Sequence, residues 1–201
     1  SLRMIIFISI PLSVGLMILS QPIIKLLFAR GEFSTQAVRM TTDALFYYSW
    51  GLFAFTGNVI LVRVFYSLQD MMTPLKIGII GIIINVIAGL ILKDILGVGG
   101  LALAFSIYGT IVYLLLAWSL RKRLETIQKK RILITFTKTL IVSAVMGIII
   151  RIITFPVLVT VLIGGIVFFI IALILKMDEL RLIKDVALKL FSREDDGLIT
   201  R

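Results

Sequence analysis

Six stretches of this chain are long and apolar enough to cross a lipid bilayer, and no other feature restricts its fold as strongly. They run Met4–Ala29, Thr41–Tyr66, Leu75–Lys93, Val98–Leu120, Ile132–Phe155 and Val157–Lys176, each close to or above the roughly 20 residues a spanning helix needs. Hydrocarbon offers a backbone no hydrogen-bond partner, so apolar stretches of this length must satisfy themselves as helices. The chain is therefore expected to be all-α, a polytopic transmembrane helix bundle of six spanning helices plus a C-terminal amphipathic helix. Composition agrees: 60% of the 201 residues are hydrophobic and the mean hydropathy is +1.12, which leaves too little polar surface to cover a globule in water.

There is no cysteine and no histidine. Disulfides and thiolate metal sites are thereby excluded, and the commonest general base is missing. The expectation is a protein that is not an enzyme and carries neither a metal nor a resident cofactor. The net charge of +10, from 21 basic and 11 acidic residues, would suggest nucleic acid in a soluble protein. In a polytopic one, the Lys and Arg of the connections set orientation instead. With the N-terminal end in the cytoplasm, fifteen basic residues fall on that side and only Lys25, Arg30, Arg39, Lys93 and Arg151 on the other. Both ends of the segment are thus expected to be cytoplasmic, with no nucleic-acid partner. The immediate start of the first stretch after Ser1, without a charged leader, reads as a C-terminal portion of a larger bundle.

The connections carry their own signals. Pro11 and the Ser20-Gln21-Pro22 run are expected to bend or break the first helix, since proline removes a donor and crowds the preceding turn. Residues Phe28 to Ser34 make a short exterior turn, with Gly31 as its stop. Tyr47, Tyr48 and Trp50 read as an interfacial aromatic belt. Thr73 is placed to cap the third helix, with Pro74 in its first turn. Gly78, Gly81 and Gly89 are expected to allow close helix approach. The glycine-rich turn Gly97 to Gly100 lacks the strand and lysine of a phosphate-cradling loop.

From Arg121 to Arg131, six of eleven residues are Lys or Arg. This basic cytoplasmic loop (Arg121, Lys122, Arg123, Lys129, Lys130, Arg131) both orients the chain and offers contacts to anionic headgroups. Arg151, Thr154 and Pro156 turn the last two spans into a tight exterior hairpin. Beyond Lys176, Leu180, Ile183, Ala187, Leu190 and Phe191 share one helical face, as an interfacial helix requires.

Polar groups at membrane depth are few and therefore informative. Arg63 lies about a turn from the inner end of the second stretch, where it can snorkel, pair with Asp70 seven residues on, or meet an anionic substrate. Asn58 and Asn85 lie near mid-span and need partners, either across a helix interface or in a cavity. Ser106 and Thr110, four residues apart, can face the same space or bond their own helix. These five are the candidate substrate or cavity residues. Asp43, near an end, is the one acidic residue in the six stretches, which argues against proton coupling here.

Three segments carry a resemblance: Pro22-Ile23-Ile24-Lys25-Leu26-Leu27-Phe28-Ala29-Arg30-Gly31-Glu32-Phe33, Phe65-Tyr66-Ser67-Leu68-Gln69-Asp70-Met71-Met72-Thr73-Pro74, and Gly97-Val98-Gly99-Gly100-Leu101-Ala102-Leu103-Ala104. In order and spacing the chain resembles the C-terminal part of the MurJ/MviN family, the lipid II flippases of the multidrug/oligosaccharidyl-lipid/polysaccharide exporter superfamily. The resemblance covers residues 1 to about 120, and the final hairpin and tail agree in hydropathy and length. It implies a fourteen-helix, two-lobe transporter. Residues 1–120 would be the last four helices of the second lobe, 121–131 a cytoplasmic loop, 132–176 an additional hairpin beside a membrane-open groove suited to a lipid tail, and 177–201 an interfacial helix and tail.

The implied task is alternating-access transfer of a lipid-linked oligosaccharide pyrophosphate, the peptidoglycan precursor, across the bacterial inner membrane. Its implied partners are membrane lipids and the N-terminal remainder of the same protein, where the head-group arginines of the family lie. The alternatives are a lipid-linked polysaccharide exporter, a cation-coupled drug exporter of the same superfamily, or a non-transporting scaffold. Some members bind sodium through an Asn with an acidic residue one turn later. Here Asn85 matches, but Gly89 holds the acidic position, so sodium is left to the full protein rather than to this portion.

Overall fold

The computed structural model describes residues 2–28, 34–123, 129–152 and 156–175, and all of them but short connections are helical. In order the helices are α1 (Leu2–Phe28), α2 (Thr35–Ser67), α3 (Met72–Leu96), α4 (Val98–Arg123), α5 (Lys129–Ile152) and α6 (Val157–Ile174). All six contain a span long and apolar enough to cross a membrane. The interfacial helix expected from Leu180 to Phe191 lies outside the described residues.

The spans expected from hydropathy are all present, and their ends differ where polar chemistry outweighs it. α2 begins at Thr35 rather than Thr41, because the Ser34 side chain accepts a hydrogen bond from the Ala37 amide and caps an earlier start. At 33 residues it is about 50 Å long, well beyond a hydrocarbon core of about 30 Å. Its polar first two turns therefore project past the apolar layer. Thr73 does not cap α3: it lies inside the first turn, behind Met71 at the N-cap, which makes no side-chain cap bond. Asp70 accepts from the Thr73 amide at 3.0 Å and from the Thr73 hydroxyl at 2.6 Å. Gln69, at φ +57°, makes the tight reversal between the two helices.

Pro11 and Pro22 both sit inside an uninterrupted α1, so the expected break is absent. Nearby hydroxyls bond their own helix, Ser13 donating to the Ser9 carbonyl and Ser20 to the Met17 carbonyl. Proline within a spanning helix is tolerated where neighbouring helices pack around it, and α1 packs against α2, α5 and α6. The basic loop is also shorter than expected. Arg121, Lys122 and Arg123 form the last turn of α4, while Lys129, Lys130 and Arg131 form the first turn of α5. An extended apolar face keeps its helix intact until the chain must turn, and a run of lysine and arginine is itself helix-compatible. Lys122 lies with its ammonium 3.6 Å from the centre of the Trp118 ring.

Two apolar cores hold the bundle. In one, Leu61 and Phe65 of α2 interlock with Val112, Leu116 and Leu120 of α4. In the other, Phe7 and Leu19 of α1 pack with Val142, Met146 and Ile150 of α5 and Phe168 and Ala172 of α6. α1 joins the cores, since it packs on α2 as well as on α5 and α6. Helices without a strong hydrophobic drive between them associate through small residues that allow close approach, and the glycines show it. A Cβ on Gly51 would lie 2.7 Å from the Ser106 Cα, and one on Gly81 would run into Val112 and Tyr108. Gly89 meets α4 at ordinary van der Waals distance, whereas Gly78 has nothing within 4 Å and contributes no packing.

Candidate functional site

The five polar candidates divide between helix interfaces and exposed surface. Asn58 of α2 donates from Nδ2 to the Gly109 carbonyl of α4 at 3.0 Å, and its Oδ1 is buried without a partner. Ser106 of α4 reaches back to α2, donating to the Tyr47 carbonyl at 2.6 Å. Thr110 bonds its own helix at the Ser106 carbonyl. Ser106 and Thr110 nevertheless line one recess of about 390 Å³ with Trp50, Phe53, Leu103 and Ile107. Asn58 and Ser106 thus tie α2 to α4, and only the recess brings two candidates to a shared space.

Arg63 is exposed on α2, and its expected partner Asp70 is engaged by Thr73 instead. The helix ends at Ser67, so the seven-residue spacing that would have aligned the pair on one face is broken by the turn. Asn85 is half-buried on α3 and is not joined to Asn58, Ser106 or Thr110. Tyr48 and Trp50 are exposed, as a belt requires, but Tyr47 packs against Gly99 at the start of α4. Among the described residues no cluster of acidic, His or Cys side chains is arranged to hold a metal.

The larger feature is one that polar residues do not reveal. α1, α5 and α6 enclose a groove of about 600 Å³ whose walls are almost wholly hydrocarbon. Leu12, Gly15 and Leu16 form one wall, Met146 and Ile150 the floor, and Gly164, Gly165, Phe168 and Phe169 the other wall. The glycine pair in α6 has two jobs. A Cβ on Gly164 would meet the Ile150 side chain at 2.6 Å, so its absence lets α6 close onto α5. Gly165 has nothing within 4 Å, so its absence leaves the groove open. A slot of this chemistry can take an apolar chain lying along the helices and nothing charged. The Gly164-Gly165 pair, inside a stretch otherwise built of large apolar residues, is the sequence signal from which it could have been found.

Comparison with known proteins is consistent along most of the chain. A family model described as "Lipid II flippase MurJ" matches residues 1–173. A probable lipid II flippase MurJ of Vibrio cholerae is 39% identical over 105 residues, covering 52% of this chain and 20% of that protein. One from Thermotoga maritima is 29% identical over 181 residues, covering 87% of this chain and 37% of its own length. A solved structure titled "Lipid II flippase MurJ, inward closed conformation" superposes with a TM-score of 0.78 at 30% identity, over 88% of this chain and 38% of that one. The chain spans between a fifth and two fifths of the relatives described.

Proposed function

The chain belongs to the lipid II flippase MurJ family, and from that premise we propose that it serves as the C-terminal portion of a transporter moving a lipid-linked oligosaccharide pyrophosphate between the leaflets of the bacterial inner membrane by alternating access. In this reading α1–α4 are the last four helices of the second lobe, and α5 and α6 are the additional hairpin. The N-terminal remainder supplies the site for the charged head. Both ends of the segment lie in the cytoplasm, a placement supported by the fifteen-to-five division of basic residues.

One observation carries the reading: the apolar groove between α1, α5 and α6. An amphiphilic substrate needs a polar route for its head and a separate apolar track for its tail, because an isolated charge in hydrocarbon and a polyprenyl chain in water are both costly. This portion of the protein provides the track. The scaffold alternative leaves an open slot without purpose, since a packed interface would close it.

Gly165 offers the test, because its side-chain position faces open groove space. Gly165→Trp in the full-length protein is expected to fill the slot, since a Cβ there has nothing within 4 Å. Leaflet exchange of a fluorescent lipid-linked precursor in proteoliposomes should fall at least tenfold, with the melting temperature unchanged. Full exchange by this variant would remove the groove from the transport path.

A further inference from the structure

At the opposite end of α1 from its N-terminus lies a second cavity, of about 610 Å³, that differs in chemistry from the groove. It is walled by Gln21 and Lys25 from the last turns of α1 and by Thr35, Arg39, Thr42 and Asp43 from the first turns of α2. On each helix the spacing is three to four residues, so each contributes one polar stripe, and the stripes face each other across the cavity. We propose that this cavity is a binding site for a phosphate group at the outer membrane interface, carried either by the headgroup of an anionic phospholipid or as free phosphate.

Four observations lead there. The positive-inside rule disfavours Lys and Arg on the outer side, yet Lys25, Arg30 and Arg39, three of the five assigned there, fall within fifteen residues of one turn. Two of the three line the same cavity. The first turn of α2 opens beside them, and a helix start presents unpaired amides and a partial positive charge. Ser34 accepts from the Ala37 amide and fixes the start of α2 beside the two cations. Asp43 is the one carboxylate lining the cavity among the described residues, and it opposes an anion there.

Depth fits as well. α2 outreaches the hydrocarbon core, so its first turns sit at headgroup level, where phosphates reside. Lys25 and Arg39 are exposed, so a ligand can arrive from the interface. A guanidinium and an ammonium on opposite walls, with hydroxyls and an amide between, match the several oxygens of one phosphate.

The inference does not depend on the transported substrate, and its test contains none. In the full-length protein, with any cysteine outside this chain replaced by serine, Gln36→Cys beside the cavity carries an environment-sensitive fluorophore. The protein is placed in phosphatidylcholine nanodiscs with a rising fraction of phosphatidylglycerol, and separately in pure phosphatidylcholine discs titrated with inorganic phosphate. A saturable response is expected, with a midpoint raised about tenfold or more by the double variant Lys25→Gln, Arg39→Gln and unmoved by Lys93→Gln, an outer basic residue away from the cavity. Asp43→Asn should lower the midpoint, a gain that a misfolded protein cannot give. A response to phosphatidylglycerol alone identifies a lipid headgroup, and a response to millimolar phosphate identifies the free anion. No saturable response to either, or an equal loss with Lys93→Gln, overturns the proposal.

Discussion

At the scale of single residues, two polar groups within the membrane act as connectors. Most hydroxyls bond their own helix, but Asn58 and Ser106 each bond a carbonyl of the neighbouring helix, and such contacts contribute about 0.6–2 kcal/mol apiece. Glycine sets the distances those bonds require. Gly51→Ala would press a Cβ against the Ser106 Cα, and the resulting overpacking should cost about 1–3 kcal/mol. Gly78→Ala meets nothing and should leave stability unchanged or slightly higher. Thermal unfolding of the two full-length variants in detergent checks the contrast, and equal melting temperatures would contradict this account of the α2–α4 interface. Which glycine packs was not legible from spacing, because Gly78, Gly81 and Gly89 look alike until the facing helix is known. Asn58 was legible as a residue needing a partner, since burial of an amide demands one. The identity of that partner, a carbonyl 51 positions away at Gly109, was not.

At the scale of helices, hydropathy located every span and polar side chains adjusted the ends. Ser34 lengthens α2 by more than a turn beyond the apolar pattern, and α3 starts at Met72, with Asp70 just ahead of it holding Thr73 of its first turn. Both are short-range effects that compete with hydropathy only at termini, so they shift boundaries without adding or removing a helix. The basic run from Arg121 to Arg131 reads equally as loop or helix, and the structure extends α4 and α5 into it. Its meaning for orientation is the same either way. Ser34→Cys in sealed cells should react with an impermeant thiol reagent, and Arg121→Cys only after permeabilisation. The reverse pattern would invert the assignment of the two faces.

At the scale of the whole molecule, α1 links two cores, belonging to one and packing on α2 of the other. One joins α1 to the hairpin of α5 and α6, and the other joins α2 to α4 with α3 alongside. The first leaves a slot between its helices, and α3 leaves a broad face of Ile79, Ile83, Val86, Ile87 and Leu90 exposed. Exposed isoleucine in a spanning helix has no cost against lipid or against further helices. A slot bounded by three helices is different, because it must be kept open by small residues and needs something to fill it. The resemblance implied a groove beside the last hairpin, but hydropathy alone did not distinguish α3 from α6, both of them continuous apolar helices. Only the placement of Gly165 over empty space and Gly164 against Ile150 separates a lipid-facing helix from a groove wall.

The most direct measurement is photo-crosslinking of the full-length protein in bilayers with a lipid-linked precursor that carries a diazirine in its polyprenyl tail. Adducts are expected on Leu12, Leu16 and Phe169, which line the groove. Few should form on Ile83 or Ile87 of α3. Labelling spread evenly over α3 and the groove, or confined to α3, would contradict the assignment of the slot to the substrate's tail.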